Sequence, residues 1–353
     1  MAKATVQLGY QLALAGALNE AQQQTERGIA AYQSLVKQGA RPGVIRDLAA
    51  SRLREGMINL MRGDDSAAST DFVLAREAVV PLSKADPENV MLRSDILSLE
   101  FEQGRLLVLT GRFAEAVVTL QRTMNGFEKL HLEGDTGPGN GLMFTWLGEA
   151  QSGMHNYGEA LGSYQKAIAA LEKDAQLDDS RCGIATDYVR IGHTLTKLNR
   201  LQDVAAACRK ALEKADISFA LEHKDVAALY PIADAHAELG ELSTALARNT
   251  RDPKEQMRLW NEACTSYQKS LDTWRQIPQP ARFCPSGYPA GDPRSVGNRL
   301  AQCRATHHAV RGCGGHGIPT DGESPEGRPW PLYRPEPTFM TIDDFHRQDP
   351  GGR

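Results

Sequence analysis

Residues 154–173 read MHNYGEALGSYQKAIAALEK. The stretch is rich in Ala, Gly and Tyr, its charges fall where a solvated helix face would hold them, and no group in it suggests chemistry. What matters is its recurrence. Counted from Gly148, it places Tyr157, Ala160, Tyr164 and Ala167 at offsets of 9, 12, 16 and 19. The same offsets from Gly104 give Phe113, Ala116, Leu120 and Thr123. From Gly56 they give Asp65, Ala68, Phe72 and Ala75, and from Gly192 they give Leu201, Val204, Cys208 and Ala211. A small residue on one helix facing small residues on the next lets the two backbones approach to the ~8–10 Å of packed helices. Each block therefore predicts a helix–turn–helix, with the large residue between the two small positions of the second helix filling the space between units. The turn falls seven residues after each glycine, at Gly63, Gly111, His155 and Asn199. Gly and Asn at that point suit a helix end in the left-handed conformation.

These blocks resemble the tetratricopeptide repeat (TPR), a helix–turn–helix of about 34 residues. The likeness is strongest over GLMFTWLGEAQSGMHNYGEALGSYQKAIAALEK, residues 141–173. The anchor glycines are spaced by 48, 44 and 44 residues, longer than that unit, which predicts longer helices and connectors. Two flanking units extend the array. Residues 3–38 contribute Gly16, Gly28 and Tyr32, and residues 224–276 contribute Ala233, Gly240, Trp260, Ala263 and Tyr267. The last unit carries an insertion, ELSTALARNTRDPKEQMRL, in which RDPKE reads as a fresh helix start: Asp252 caps, Pro253 takes the first position and Glu255 closes a capping box. The connector ADPEN, residues 85–89, offers Asp86 as a cap, Pro87 for the first helical turn and Asn89 to help close it. The resemblance implies an all-α, right-handed α-solenoid of six TPR-like hairpins over residues 1–277, binding a protein or extended peptide in a concave groove.

A narrower likeness comes from the long repeats, the D-P-x-N connector, WNEACTSYQKSLDTW and GDPRSVGNRLAQC. Together they are similar to the repeat-rich C-terminal halves of some bacterial membrane-anchored serine/threonine protein kinases. This chain has no glycine-rich loop followed by a strand lysine, no H-R-D and no D-F-G. The resemblance therefore implies a detached sensor or regulatory portion without kinase activity of its own.

Composition agrees with a folded helical protein. Of 353 residues, 41% are hydrophobic and 24% charged, enough for an ordinary core. The net charge of -4 argues against nucleic acid or an anionic membrane as partner. No apolar run approaches the ~20 residues of a spanning helix. MAK followed by VQLGYQLALAGAL has the outline of a signal peptide, but Gln7, Tyr10 and Gln11 interrupt the apolar run, so it reads as an amphipathic helix. Cys208 and Cys264 fall in helical patterns, where cysteine serves as a small buried hydrophobe. Nothing in the spacing of the six cysteines forces pairing, which favours a reducing, cytoplasmic location.

Proline marks the boundary of the array: six of 18 lie in residues 1–277 and twelve in the last 76. Residues 278–305 read as a turn-rich linker, PQPARFCPSGYPAGDP, followed by a capping helix. From Thr306 onward 15 of 48 residues are Gly or Pro, which predicts a disordered tail.

Three constellations carry residue types that could do chemistry. GDTGPGNG, residues 134–141, lacks the preceding strand and the Lys-Ser/Thr pair of a phosphate cradle and reads as a connector. Cys303, His307, His308, Cys313 and His316 have spacings that suit zinc, and carry the alternative of a metal-binding protein, but lack apolar neighbours to close a site. Cys208 or Cys264 with His193 or His236 would need a partly exposed thiol, whereas Cys208 occupies a core position. No cofactor and no enzymatic activity are expected.

The candidate surface follows from register. Residues one turn either side of each anchor glycine point into the groove: Arg54, Met57, Phe101, Arg105, Trp146, Glu149, Arg190, His193, Lys197, Tyr230 and Asp234. Trp146 and Phe101 would anchor an apolar group, or pack between repeats. Arg105, Arg190 and Lys197 would pair with carboxylates. The Lys/Asn clamp of TPR cochaperones that grip chaperone tails is not present, so such a tail is not the expected ligand.

Overall fold

A computed structural model describes residues 1–39, 41–131, 140–173, 178–221, 226–284 and 286–312. These form thirteen helices. Twelve pair as hairpins: α1 (Ala2–Leu14) with α2 (Leu18–Lys37), α3 (Pro42–Arg62) with α4 (Asp65–Ala85), α5 (Val90–Leu109) with α6 (Phe113–His131), α7 (Asn140–Gly153) with α8 (Tyr157–Lys173), α9 (Asp178–Lys197) with α10 (Leu201–Leu221), and α11 (Val226–Asn249) with α12 (Pro253–Trp274). A last helix, α13 (Pro293–Gly312), packs on α12. The chain is an all-α solenoid of six hairpins.

The offset grammar is visible as packing. A Cβ built on Gly148 would lie 2.6 Å from the Tyr164 ring, one on Gly104 2.6 Å from Leu120, and one on Gly56 2.4 Å from Phe72. Each glycine thus clears room for the large residue sixteen positions later. That residue sits on the glycine of its own hairpin, not in the space between units as the pattern suggested. Gly9 belongs to the same series, since its Cβ would meet Thr25 Oγ1 at 2.3 Å; it anchors the first hairpin and had not stood out in the sequence. The flanking small positions Ala68, Ala75, Ala116, Ala160, Ala167 and Ala211 are fully buried.

The turns close as expected. Gly63 and Gly111 have φ of 85° and 77°, and His155 and Asn199 hold the same left-handed conformation at 63° and 56°. After α7 the Asn156 amide reaches back to the Gln151 carbonyl at 2.9 Å and the His155 amide to Ser152 at 2.9 Å, satisfying carbonyls that the helix leaves open.

Four local expectations change. The insertion in the sixth unit does not follow a completed helix; α11 and α12 absorb it by running to 24 and 22 residues. Asp252 caps α12 by accepting from the Lys254 amide at 3.0 Å, but Glu255 pairs with Arg258 rather than closing a capping box. In the 85–89 connector Asn89 is the cap, accepting from the Leu92 amide at 3.3 Å, while Asp86 ends α4 and Pro87 stays outside the helix. Cys264 is not a lone buried thiol: it forms a disulfide with Cys303, tying α12 to α13.

The helix over 293–312 passes the expected boundary at Thr306. Residues 313–353, with Cys313 and His316, lie outside the described residues, as do residues 134–139 of the glycine-dense connector.

In each hairpin the first helix is the one that meets its counterparts: α1 touches α3, α3 touches α5, and so on to α9 and α11. Among the described residues no two second helices make a comparable contact. First helices therefore line the inner face, which is where a site must be sought.

A loop seated on the inner face

The segment joining α12 to α13 lies against that inner face. It is a tight antiparallel loop, not a solvated linker. Phe283 bridges Pro289, the Cys284 amide donates to the Tyr288 carbonyl at 2.8 Å, and the Ala290 amide to the Arg282 carbonyl at 3.1 Å. Gly287, at φ 87°, makes the bend, a conformation that L residues adopt only with strain. Phe283, Cys284 and Tyr288 are buried.

Helix by helix, the inner face grips the backbone of this loop. On α7, Trp146 Nε1 donates to the Gly287 carbonyl at 3.0 Å. On α5, Arg105 Nη2 donates to the same oxygen at 3.3 Å, and its guanidinium lies 4.1 Å from the Phe283 ring centre and 4.8 Å from that of Trp146. Phe283 stands edge-on to Trp146 with centroids 6.3 Å apart. On α9, Arg190 Nη2 donates to the Pro289 carbonyl at 2.8 Å. On α11, Asp234 Oδ2 accepts from the Gly291 amide at 2.8 Å and the Tyr230 hydroxyl accepts from the Ala281 amide at 3.2 Å. Arg282 of the loop reaches out to Asp65 and to the Leu109 carbonyl.

Small residues decide the closeness of fit. A Cβ on Gly183 would lie 2.3 Å from the Tyr288 ring, and one on Gly291 would lie 2.2 Å from Asp234 Oδ1.

The charges that hold the loop are themselves held. Arg105 is 1% exposed and pairs with Glu102 at 2.9 Å. Burial raises the Glu102 carboxyl above the usual range, with Arg105 opposing. Arg190 lies 3.2 Å from Glu149 and 3.8 Å from Asp234. Burial pushes Asp234 up to about 6, against the pull of Arg190 and the Gly291 amide. Asp187 is fully buried, accepts from Thr145 Oγ1 at 2.8 Å, and is raised well above the ordinary carboxylate range by that burial. Each of these carboxyls has a hydrogen-bond donor: Arg105 for Glu102, Thr145 for Asp187 and the Gly291 amide for Asp234.

The sequence-derived residues divide accordingly. Arg105, Trp146, Arg190, Tyr230 and Asp234 converge on the loop, and Glu149 supports them by pairing with Arg190 and accepting from the Tyr164 hydroxyl at 2.8 Å. Phe101 is buried in the core at 3% exposure, 5.9 Å from the Arg105 guanidinium. His193 bonds Glu238 at 3.0 Å, further along the same face. Arg54 is elsewhere, over the Tyr10 ring and beside a hollow of ≈ 160 Å³ lined by Lys3, Tyr32, Arg46 and Asp47. Lys197 is exposed at the end of α9. The chain's own loop occupies the expected groove, with Phe283, Cys284 and Tyr288 buried there.

Sequence reasoning missed Gly183, Asp187, Glu238 and the loop itself. The signal was present in the loop: two aromatics and a cysteine within FCPSGY are more than a solvated linker would carry.

Cys208 and Cys303 of the other sequence candidates are both buried. Burial pushes the Cys208 thiol up to about 12, so it is no nucleophile at neutral pH. As half of a disulfide, Cys303 has no thiolate to offer zinc, and among the described residues no three His, Cys, Asp or Glu side chains are grouped to hold a metal. No described helix is long and apolar enough to cross a membrane.

No protein-family model and no curated protein matches this chain. Similar solved structures are helical. BtubC from P. vanneervenii is 13% identical with a TM-score of 0.43, over 87% of this chain and 97% of that one. A signal transduction ATPase with numerous domains, carrying a tetratricopeptide repeat sensor, from Pyrococcus horikoshii is 11% identical with a TM-score of 0.49, over 87% and 42%. The TPR2AB domain of yeast Sti1, in a pHSP90 complex, is 12% identical with a TM-score of 0.29, over 86% and 98%. At these values the class of the chain rests on its own hairpins: a helical-repeat solenoid with an internally bound loop.

Proposed function

We propose that this chain is a non-catalytic protein-interaction scaffold whose inner face is a seat for a short protein segment. Residues 279–291 hold that seat in the structure, and a partner segment competes with them. The observation that supports this reading is the convergence of Trp146, Arg105, Arg190 and Asp234 on backbone atoms of Gly287, Pro289 and Gly291. Contacts to backbone accept any sequence that can take the same path, and shape then selects small residues at the positions of Gly287 and Gly291. The occupant is a folded-back loop, so the partner segment is a turn-forming one and not the fully extended peptide expected from the sequence.

The test uses the full chain beside Gly291→Ala, which crowds Asp234 and loosens the loop without changing a groove side chain. Proteins captured from native lysate are identified by mass spectrometry and then challenged with a synthetic peptide of residues 279–291. Stronger capture of one partner by the variant, and its release by the peptide, supports the reading. A partner held equally by both proteins and indifferent to the peptide places the interaction on another face.

The finer reading, a regulatory portion of a bacterial serine/threonine kinase system, rests on the sequence resemblance alone. Recovery of such a kinase as the captured partner would support it. A cytoplasmic location is likewise part of the proposal, and the Cys264–Cys303 disulfide stands against it; the redox state of that pair in protein isolated under alkylating conditions decides.

A further inference from the structure

Two cysteines outside the disulfide meet where the loop touches α9. Cys182 Sγ and Cys284 Sγ are 3.9 Å apart, both residues are 1% exposed, and both are thiols in this structure. One stands on a helix of the inner face and the other on the seated loop, 102 positions later in sequence. The contact therefore exists only while the loop is seated. We propose that Cys182 and Cys284 are a redox modification site: oxidation joins them in a disulfide that fastens the loop to the inner face, and reduction leaves the loop held by noncovalent contacts alone.

The geometry allows the bond. A disulfide needs its sulfurs about 2.05 Å apart, so they must close by roughly 2 Å. Cys284 lies in irregular backbone between Phe283 and the Gly287 bend, where a rotamer change and a small shift supply that distance, whereas Cys182 is fixed on α9. The Cys182 thiol donates to the Ala227 carbonyl of α11 at 3.4 Å and has Cys284 Sγ as its neighbour on the loop.

The chemistry balances with a low-molecular-weight disulfide as oxidant. One protein thiol, as thiolate, attacks that disulfide, forming a mixed disulfide and expelling one small thiolate. The second protein thiolate attacks the mixed disulfide at the protein sulfur and expels the other. Two protein thiols become one disulfide, and the oxidant becomes two small thiols. Because both sulfurs are buried, attack needs a brief opening of the loop, so the link forms slowly and resists reduction once the loop is reseated.

The inference rests on the position of the loop and not on the identity of any partner. The full chain is equilibrated across a series of reduced-to-oxidised glutathione ratios, alkylated, and mapped without reduction. Hydrogen exchange of the Ala281, Cys284, Gly287, Ala290 and Gly291 amides is followed in parallel. The expected result is a linked peptide pair containing Cys182 and Cys284, lighter by two hydrogens, with exchange in the loop slowed at least tenfold. The Cys182→Ser protein should show no oxidant-dependent slowing. Cys182→Ser leaves the loop sequence intact, and Cys284→Ser provides the reciprocal test, each checked for native circular dichroism. No such pair at saturating oxidant in folded protein, a link from Cys182 to another cysteine, or a link that leaves loop exchange unchanged would each overturn the proposal. Partner capture that persists undiminished with the link present would count against the scaffold reading only.

Discussion

The Trp146 indole donates to the Gly287 carbonyl at 3.0 Å, across 141 positions of sequence. It is a direct tie between the fourth hairpin and the loop that follows the sixth. Trp146 is fully buried, so Trp146→Phe keeps most of the apolar contact and removes the donor. The Gly287 oxygen then relies on the longer bond from Arg105. A loss of about 1–3 kcal/mol is expected, as for a buried acceptor deprived of a partner. Urea denaturation measures the loss, and faster hydrogen exchange confined to 281–291 locates it. Uniform faster exchange throughout α7 would contradict this account.

Glycines of one helical hairpin should respond in opposite directions. Gly148→Ala places a Cβ 2.6 Å from the Tyr164 ring and forces α7 and α8 apart, costing about 1–3 kcal/mol. Gly162, within α8, faces open space, so Gly162→Ala should add about 0.5–1 kcal/mol through helix propensity. Thermal melts of the two variants beside the wild type separate packing from propensity.

Stability should fall as pH rises through the neutral range. Burial lifts Glu55 from 4.5 to about 8, with Asp71 adding to the rise; one of its oxygens is buried without a hydrogen-bond partner. Below 4.5 both folded and unfolded states carry the proton. Between 4.5 and about 8 only the folded state keeps it, so the stabilising contribution is lost progressively as pH climbs through that window. Asp234, raised to about 6, adds the same sign over a lower window. Glu55→Gln should match the wild type near pH 4 and exceed it by about 1–3 kcal/mol near pH 8. Denaturation curves at the two pH values test this, and parallel curves for both proteins would refute it.

Reduction of Cys264–Cys303 should release α13 before the rest of the molecule. The bridge closes a span of 39 residues. The loop-closure estimate for that length is about 4 kcal/mol, with engineered cases often giving less. Since α13 packs on α12 and no other helix to a comparable degree, the loss should be local. Exchange of α13 amides should rise under reductant while those of α7 and α9 stay protected, and Cys264→Ser should reproduce the effect without reductant.

Much of the architecture was legible because it is written in short-range steric pairs. Gly56 and Phe72, Gly104 and Leu120, and Gly148 and Tyr164 keep the same separation, and a helical hairpin is the local structure that makes that separation a contact. The turns at His155 and Asn199 were readable from the same count, although His155 is not a typical left-handed residue. The first-helix positions Arg105, Trp146, Arg190, Tyr230 and Asp234 could be placed on one face by register, and they do share it.

The sequence by itself determined the six hairpins, their turns and the face that carries the candidate residues, since each depends on contacts within some twenty positions. Only the tertiary structure decided what that face holds. Residues 278–291 have the Pro and Gly content of a solvated linker, and the same turn chemistry serves a loop that docks. Whether FCPSGY meets water or Trp146 depends on where α12 ends relative to α5, α7 and α9, a distance set by the summed rotation of the repeats. The pairing of Cys264 with Cys303 and the meeting of Cys182 with Cys284 follow from that same summed geometry, which no local pattern records.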